Sequence, residues 1–129
     1  MIRSIDEAED IHAYLKMFPR LLSRASRTCE RCGRHDALVG HGTYRRWFIT
    51  FGFRVRVRLQ RLRCRSCGVT LTLMPPFMRS RSPYGRDVVT AARAARARGA
   101  AVYTLPASLE RMGVAVRYAT IRSWVAEAA

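Results

Sequence analysis

The pattern of hydrophobic and polar residues in this 129-residue chain changes its period along the sequence. The first segment has the period of a helix. Its apolar residues recur three or four positions apart: Ile11, Tyr14, Leu15 and Phe18. Ser4 and Glu7 have the spacing of a capping box, which predicts a helix start at Ser4. Pro19 predicts the end of the helix or a kink, because proline has no backbone N–H. We expect the apolar stripe to be buried against the rest of this chain, or otherwise against a second copy or a protein partner.

The middle segment alternates between apolar and polar residues with the period of two that is typical of a half-buried strand. Val55, Val57 and Leu59 alternate with Arg54, Arg56 and Arg58. The phase slips at residues 60–61, where a β-bulge would account for the change. Residues 44–51 have the composition of a preceding strand, and Gly52 can form the hairpin turn between the two. Residues 69–73 predict a third strand, which two consecutive prolines end.

The C-terminal segment returns to helical spacing. A helix is predicted to begin at Pro83, with Ser82 as its N-cap, and to end at Gly99. Its apolar face comprises Val88, Ala91, Ala92 and Ala95. A second, short helix is predicted over residues 105–112 and ends at Gly113. A third helix follows and runs to the C-terminus.

The charge of the chain points to a class of partner. It has 24 Lys and Arg residues against 9 Asp and Glu residues, a formal net charge of +15, and all but one of the basic residues are arginine. Residues 1–26 are neutral, whereas residues 27–78 carry +9 and residues 79–129 carry +6. Such a charge attracts polyanions, and nucleic acid is the first candidate. A GC-rich genome explains part of the preference for arginine over lysine, but it does not explain the shortage of acids.

Composition excludes several classes of protein. Hydrophobic residues make up 49% of the chain, which is too many for a disordered tail. No run of about 18 apolar residues could cross a membrane, and the acidic N-terminus resembles neither a signal peptide nor a transit peptide. We therefore expect a cytoplasmic protein that is associated with the nucleoid. Four of the nine acids lie in the first ten residues, so few carboxylates remain for the site of a metal-dependent nuclease.

Two cysteine pairs carry the clearest chemical signal, because each is a Cys-x-x-Cys followed directly by glycine. The four residues are Cys29, Cys32, Cys64 and Cys67. Disulfides are rare in the cytosol, and two such knuckles at the ends of a hairpin supply the tetrahedral set of thiolates for one structural Zn²⁺. An iron–sulfur cluster and four unrelated buried cysteines are the alternatives. His35 and His41 lie near the first pair, where we expect them at the surface or behind the ligands.

The last two predicted helices match a helix-turn-helix. Gly113 lies in the turn, and Ile121, Trp124 and Val125 fall on one face of the helix after it. The outward face of that helix, with the residue at its start, would read DNA in the major groove through Arg117, Thr120, Arg122 and Ser123. A three-helix packing without a DNA-binding role is the alternative.

Further arginines are candidates for phosphate contacts, because they recur on one face of a predicted element. Arg54, Arg56 and Arg58 lie on the basic strand, and Arg86, Arg93 and Arg96 lie on the first C-terminal helix. Together they predict a surface that binds the DNA backbone. A solvated face that has no ligand is the alternative.

Residues 27–125 as a whole resemble a known arrangement. A knuckle is followed by Gly-Thr-Tyr-Arg-Arg at residues 42–46, a basic strand into Arg-Leu-Arg-Cys-Arg-Ser-Cys-Gly-Val-Thr at residues 61–70, Leu-Met-Pro-Pro-Phe at residues 73–77, and a helix-turn-helix. This order resembles the N-terminal region of bacterial insertion-sequence transposases and small actinobacterial proteins of unknown function. In those transposases a ribonuclease-H-like catalytic domain follows, whereas this chain ends at Ala129. The resemblance implies binding of element ends or operators without strand transfer.

These observations predict an α+β fold with an N-terminal helix (residues 1–26), a four-cysteine zinc ribbon made of a hairpin and a third strand (27–78), and a three-helix helix-turn-helix module (79–129). The predicted function is non-catalytic binding of double-stranded DNA by a zinc-containing transcriptional regulator or mobile-element accessory factor. One alternative is a zinc-ribbon subunit that docks on a larger protein or RNA–protein machine. Another is a fragment of a nuclease or transposase, whose catalytic domain would be encoded in an adjacent reading frame.

Overall fold

The computed structural model describes residues 2–5 and 10–127 and has a mixed α+β fold. Its elements are β1 (Ile2–Ser4), α1 (Ile11–Arg24), β2 (Leu38–Thr50), β3 (Phe53–Cys64), β4 (Thr70–Met74), α2 (Arg86–Ala97), α3 (Leu105–Arg111) and α4 (Tyr118–Glu127). One turn of 3-10 helix, Val102–Thr104, precedes α3. The strands form one sheet in the order β1-β4-β3-β2, in which β1 is parallel and β3 antiparallel to β4. In the described part of the chain, no helix is both long and apolar enough to cross a membrane.

The chain divides into two compact units. The first, which we call the ribbon unit, comprises Met1–Arg46 and Arg56–Ser80. The second, the helical unit, comprises Trp47–Val55 and Arg81–Ala129. The far end of the β2–β3 hairpin therefore belongs to the same unit as the C-terminal helices. The sequence prediction, with its boundaries at residues 26 and 78, keeps the whole hairpin in the ribbon.

A short strand occupies the position where the sequence predicts a helix start. Ser4 lies in β1 and its backbone pairs with β4, so the predicted cap at Ser4 is wrong. Helix α1 begins at Ile11 instead, and the side chain of Asp10 caps it by accepting a hydrogen bond from the Ala13 N–H at 2.8 Å. Glu7, the second residue of the predicted capping box, lies outside the described residues.

Helix α1 also continues for five residues beyond Pro19, so of the two predicted effects of this proline, an end or a kink, the end does not occur. The continuation changes the buried stripe, which comprises Ile11, Tyr14, Met17 and Leu21. Leu15 is 53% exposed and Phe18 is half-buried, although both belong to the predicted stripe. The stripe itself is buried within this chain.

The hairpin follows the predicted alternation. Arg54, Arg56 and Arg58 are exposed on β3, whereas Val57 and Leu59 are fully buried. The burial phase changes at Leu59–Gln60, because Gln60 is also buried and donates from Nε2 to the carbonyl of Gly42 at 3.1 Å. Gly52 has φ 86° in the turn between β2 and β3, as the sequence predicts.

In the helical unit, the segment before α2 is held in an extended conformation. Ile49 of β2 donates to the carbonyl of Pro83 at 2.8 Å and accepts from the N–H of Gly85 at 2.9 Å, in a parallel bridge to Tyr84. Helix α2 therefore begins at Arg86 with Gly85 as its N-cap, and the predicted start at Pro83 is wrong. Gly99, with φ 98°, follows the end of α2 as predicted.

A single apolar cluster holds the helices of this unit together. It comprises Val88, Val89, Ala92, Leu105, Leu109, Val114, Val116, Ile121 and Trp124. The Tyr84 ring packs edge-on against the Trp124 ring, with centroids 5.3 Å apart. Burial of Ile121 and Trp124 leaves the opposite face of α4 at the surface, where the candidate DNA-reading residues lie.

Candidate functional site

Four sulfur atoms meet in the ribbon unit. The Sγ atoms of Cys29, Cys32, Cys64 and Cys67 all lie within 4.8 Å of one another. Two distances between the knuckles, from Cys29 to Cys67 and from Cys32 to Cys64, are each 3.7 Å. A disulfide requires about 2.0 Å, whereas a tetrahedral ion with Zn–S bonds of about 2.3 Å places its sulfurs about 3.8 Å apart. The cluster is therefore positioned to coordinate one metal ion.

The second knuckle forms the end of β3. Cys64 donates its N–H to the carbonyl of Val69 at 2.9 Å and accepts from the N–H of Gly68 at 3.0 Å, which closes a tight turn. Gly68 has φ 78°, a conformation that only glycine adopts without strain. Inside this turn the N–H groups of Ser66 and Cys67 donate to the Cys64 sulfur at 3.3 and 3.4 Å. These hydrogen bonds stabilise a thiolate at Cys64.

The first knuckle repeats this turn before β2. Cys29 donates its N–H to the carbonyl of Arg34 at 3.0 Å and accepts from the N–H of Gly33, whose φ is 75°. Cys29 and Cys64 are buried, while Cys32 and Cys67 are exposed. Both knuckles thus have one ligand inside the fold and one at the surface.

The surroundings of the cysteine sulfurs shift the pKa values of the thiols in different directions. Hydrogen bonds from the backbone N–H of Cys67 and then of Ser66 lower the pKa of Cys64 to about 6. The backbone N–H of Cys32 lowers the pKa of Cys29 in the same way. The N–H of Val69 lowers the pKa of Cys67, but burial and the neighbouring thiols outweigh it and raise that pKa to about 11. Both knuckles thus favour the thiolate form of their buried cysteine, and a metal ion must displace any proton that remains on the sulfurs.

Sequence reasoning missed a residue that supports the first knuckle. Arg3 of β1 donates to the carbonyls of Ser26 and Thr28 at 2.8 and 3.0 Å, and its Nε forms an ion pair with Glu30 at 2.9 Å. A lone arginine in an acidic N-terminal segment was the only signal in the sequence. His35 has Thr28 Oγ1 3.1 Å from its Nδ1 and does not belong to the sulfur cluster.

No model of a known protein family, no curated protein and no solved structure matches this chain.

The candidate DNA-reading residues lie together at the surface of the helical unit. Arg117 directly precedes α4, and its carbonyl accepts from the N–H of Ile121 at 3.1 Å. Arg122 and Ser123 are exposed on α4, and Thr120 is half-buried. The two alanines of α4 are exposed as well.

The strand arginines lie beside aromatic rings. The Arg54 guanidinium lies 4.4 Å from the centroid of the Trp47 ring, and the Arg58 guanidinium lies 6.0 Å from that of Phe18. In the ribbon unit, Arg56 and Arg58 line a groove that Phe18 also lines. The strand therefore presents arginines, together with aromatic surface, to solvent.

The three arginines of α2 differ from one another. Arg86 is exposed at the first residue of the helix. Arg93 is half-buried and donates from Nε to the carbonyl of Trp124 at 3.0 Å. Arg96 donates to the carbonyl of Ala100 at 3.1 Å. Arg93 and Arg96 thus have internal acceptors that the sequence pattern did not indicate.

Proposed function

We propose that this chain is a zinc-containing protein that binds double-stranded DNA and performs no catalysis. The observation that carries this proposal is the exposed face of α4, where Arg122 and Ser123 project beside small residues while Ile121 and Trp124 are buried. A helix that is anchored on one face and presents arginine and hydroxyl groups on the other can enter a major groove.

The turn before α4 supports a helix-turn-helix. Gly113 has φ 99° directly after the C-cap of α3, and the following Val114 and Val116 are buried. These contacts fix the direction from which α4 starts. From the resemblance of residues 27–125 to the N-terminal region of insertion-sequence transposases, we further propose recognition of element ends or operators, and a location at the nucleoid.

Zinc is the metal that we propose for the sulfur cluster. Two of the sulfur–sulfur distances are 3.7 Å and all lie within 4.8 Å, which fits one tetrahedral ion. The irons of a multinuclear cluster would spread the sulfurs further. When bound, the ion would cross-link the two knuckles and add to the stability of the ribbon unit. Elemental analysis of protein purified without added metal should give about one zinc per chain. Absence of metal, or disulfides among these cysteines, would refute this assignment.

DNA binding is tested with a duplex obtained by selection and a random duplex, each titrated at two salt concentrations. Arg122→Ala should weaken the selected duplex by about 1–3 kcal/mol and relax its sequence preference. Arg86→Ala should weaken both duplexes about equally and make the salt dependence shallower by about one unit. Arg20→Ala, an exposed change of the same charge on α1, is the matched control and should have little effect. Unchanged binding in both test variants would show that this surface does not bind DNA.

The proposed absence of catalysis has its own test. Asp87 lies in the first turn of α2, where its carboxylate accepts from the Val88 N–H at 2.9 Å and from the Thr50 hydroxyl. These bonds give it a structural role. Incubation with DNA and Mg²⁺ or Mn²⁺ should leave the DNA intact. Cleavage that disappears in Asp87→Asn would contradict the proposal.

A zinc-ribbon subunit that docks on a larger assembly is the second candidate. It is favoured by two aromatic side chains at the far end of the hairpin, Trp47 and Phe53, which are 43% and 47% exposed. Large exposed aromatic residues are enriched at protein interfaces. This candidate replaces the first if zinc-loaded protein binds no duplex at low salt.

A further inference from the structure

A cavity of about 440 Å³ lies within the helical unit, between α2, the 3-10 turn and α4. Its size falls within the range of small-molecule sites, about 300–1,000 Å³. Three arginines line it, Arg93 and Arg96 from α2 and Arg122 from α4. Val102 and Val125 also line it, together with two alanines. The cavity therefore combines a cationic side with an apolar side.

Among the lining residues that the structure describes none is acidic, so these residues do not balance its positive charge. Arg96 uses Nη1 for the carbonyl of Ala100, which holds the side chain and leaves further N–H groups of its guanidinium for a ligand. Among the described residues, Arg122 has no hydrogen-bonding or ion-pair partner. Arg93 adds a third positive charge while its Nε is bonded to the carbonyl of Trp124. An anion in the cavity would reduce the repulsion among the three.

We propose that this cavity binds a small organic anion, a carboxylate on an aromatic or aliphatic body. The guanidiniums of Arg96 and Arg122 would hold the carboxylate, since arginine pairs with carboxylates in a planar, two-bonded geometry. The valine side would receive the apolar body. A bare inorganic anion would use only the cationic side, so the two kinds of ligand are distinguishable.

Such a ligand would also affect DNA binding, an inference that rests on the proposed function. Arg122 belongs both to the cavity and to the exposed face of α4 that we propose to read DNA. A carboxylate held by Arg122 would withdraw this side chain from the DNA. Because coupling between two ligands is reciprocal, DNA would weaken binding of the anion by the same factor.

The site is tested by NMR titration of the zinc-loaded chain with phthalate, benzamide and inorganic phosphate at constant ionic strength. Phthalate should shift the methyl signals of Val102 and Val125 and the side-chain signals of Arg96 and Arg122, with a dissociation constant of about 1 mM, as expected for so small a probe. Neutral benzamide and phosphate should bind at least about tenfold more weakly. Equal shifts with phosphate would show a bare phosphate site, and no shifts with phthalate would show no site; both overturn the proposal.

A pair of variants distinguishes binding in this cavity from attraction of the anion to the overall positive charge of the chain. Arg96→Gln should weaken phthalate binding about tenfold, because it removes one charged donor. Arg98→Gln, two residues further along, removes the same charge from an exposed side chain that does not line the cavity and should leave binding unchanged. Thermal unfolding of both variants confirms that the helical unit is folded. Equal losses in the two variants would overturn the proposal.

The effect on DNA is measured separately on the selected duplex. Phthalate near its dissociation constant should weaken DNA binding about twofold, and Arg96→Gln should remove that effect. If phthalate binds without any change in DNA affinity, the proposed coupling is wrong, but the anion site remains supported. If no duplex binds, the proposed function and the coupling both fail, while the NMR titration still decides whether the cavity is a ligand site.

Discussion

The hydroxyl group of Tyr14 is a buried donor with one acceptor. It donates to the carbonyl of Arg58 on β3 at 2.6 Å, and its ring packs edge-on against Phe77 at a centroid distance of 5.9 Å. Tyr14→Phe keeps the ring and removes the hydrogen bond, so the free energy of unfolding should fall by about 1 kcal/mol. Urea denaturation measures this change. Tyr103→Phe, at a residue that is 77% exposed, should have no effect.

The same side chain predicts a loss of stability in alkali. Burial, and then the nearby phenol of Tyr44, raise the pKa of Tyr14 well above its usual value. The unfolded chain ionises this group near pH 10 while the folded chain keeps it neutral, so the free energy of unfolding should fall as pH rises above about 10. Tyr14→Phe should lose less stability between pH 9 and pH 11 than the parent. Equal losses would show that Tyr14 does not contribute.

Gly113 is constrained by both its conformation and its neighbours. Its φ is 99°, and a Cβ atom there would lie 2.9 Å from the backbone nitrogen of Gly52. Gly113→Ala should therefore lower the free energy of unfolding by about 1–3 kcal/mol. Gly99→Ala is the matched control, because Gly99 has φ 98° and open space around its Cβ. The difference between the two losses of free energy of unfolding measures the cost of the close contact between residue 113 and the backbone of Gly52. Equal losses would show that this contact costs nothing.

At the scale of elements, Arg93 connects α2 to the last helix. Its Nε–H donates to the carbonyl of Trp124, close to the C-terminus of α4, where a cation also interacts favourably with the helix dipole. Arg93→Ala should lower the melting temperature of the helical unit, with a loss of about 1 kcal/mol. Arg86→Ala removes a cation from the N-terminus of α2 and should be neutral or slightly stabilising. A stable Arg93→Ala variant with weakened DNA binding would show that Arg93 contacts phosphate instead.

Element boundaries show which sequence signals were sufficient. Gly52 and Gly99 were predicted correctly, because a positive φ is a local requirement that glycine meets. The starts of α1 and α2 were predicted wrongly, because the backbone at Ser4 and Pro83 pairs with strands distant in sequence. Helix α1 continues through Pro19, because the burial of its apolar stripe offsets the loss of one backbone hydrogen bond.

For the whole molecule, removal of the proposed zinc should affect the two units differently. The sulfur cluster belongs to the ribbon unit, whereas the helical unit has its own apolar cluster around Val88 and Ile121. A chelator should therefore accelerate amide hydrogen exchange at Cys64 and Leu71 much more than at Val88 and Ile121. Cys64→Ser should reproduce this pattern without a chelator. Uniform acceleration across both units would show that the metal supports the entire chain.

The candidate site was predictable to different extents in its two parts. The four cysteines were identified from spacing alone, because a Cys-x-x-Cys-Gly turn is built from neighbouring residues and its geometry is local. The candidate arginines were identified as a surface, but their individual surroundings were not. Arg93 was grouped with Arg86 and Arg96 on one face, but it is half-buried and donates to the carbonyl of Trp124. The contribution of Arg3 was missed, because its partners lie more than twenty residues away.

The sequence by itself determined the features that depend on adjacent residues: the two cysteine turns, the Gly52 hairpin, the alternation of β3 and the excess of positive charge. Only the tertiary structure decided which segments compete for the same backbone hydrogen bonds, and thereby where α1 and α2 begin. It also decided that Arg93, Arg96 and Arg122 share one cavity. Such groupings depend on how helices pack against a common core, and no spacing along the chain encodes the distance between side chains on separate helices.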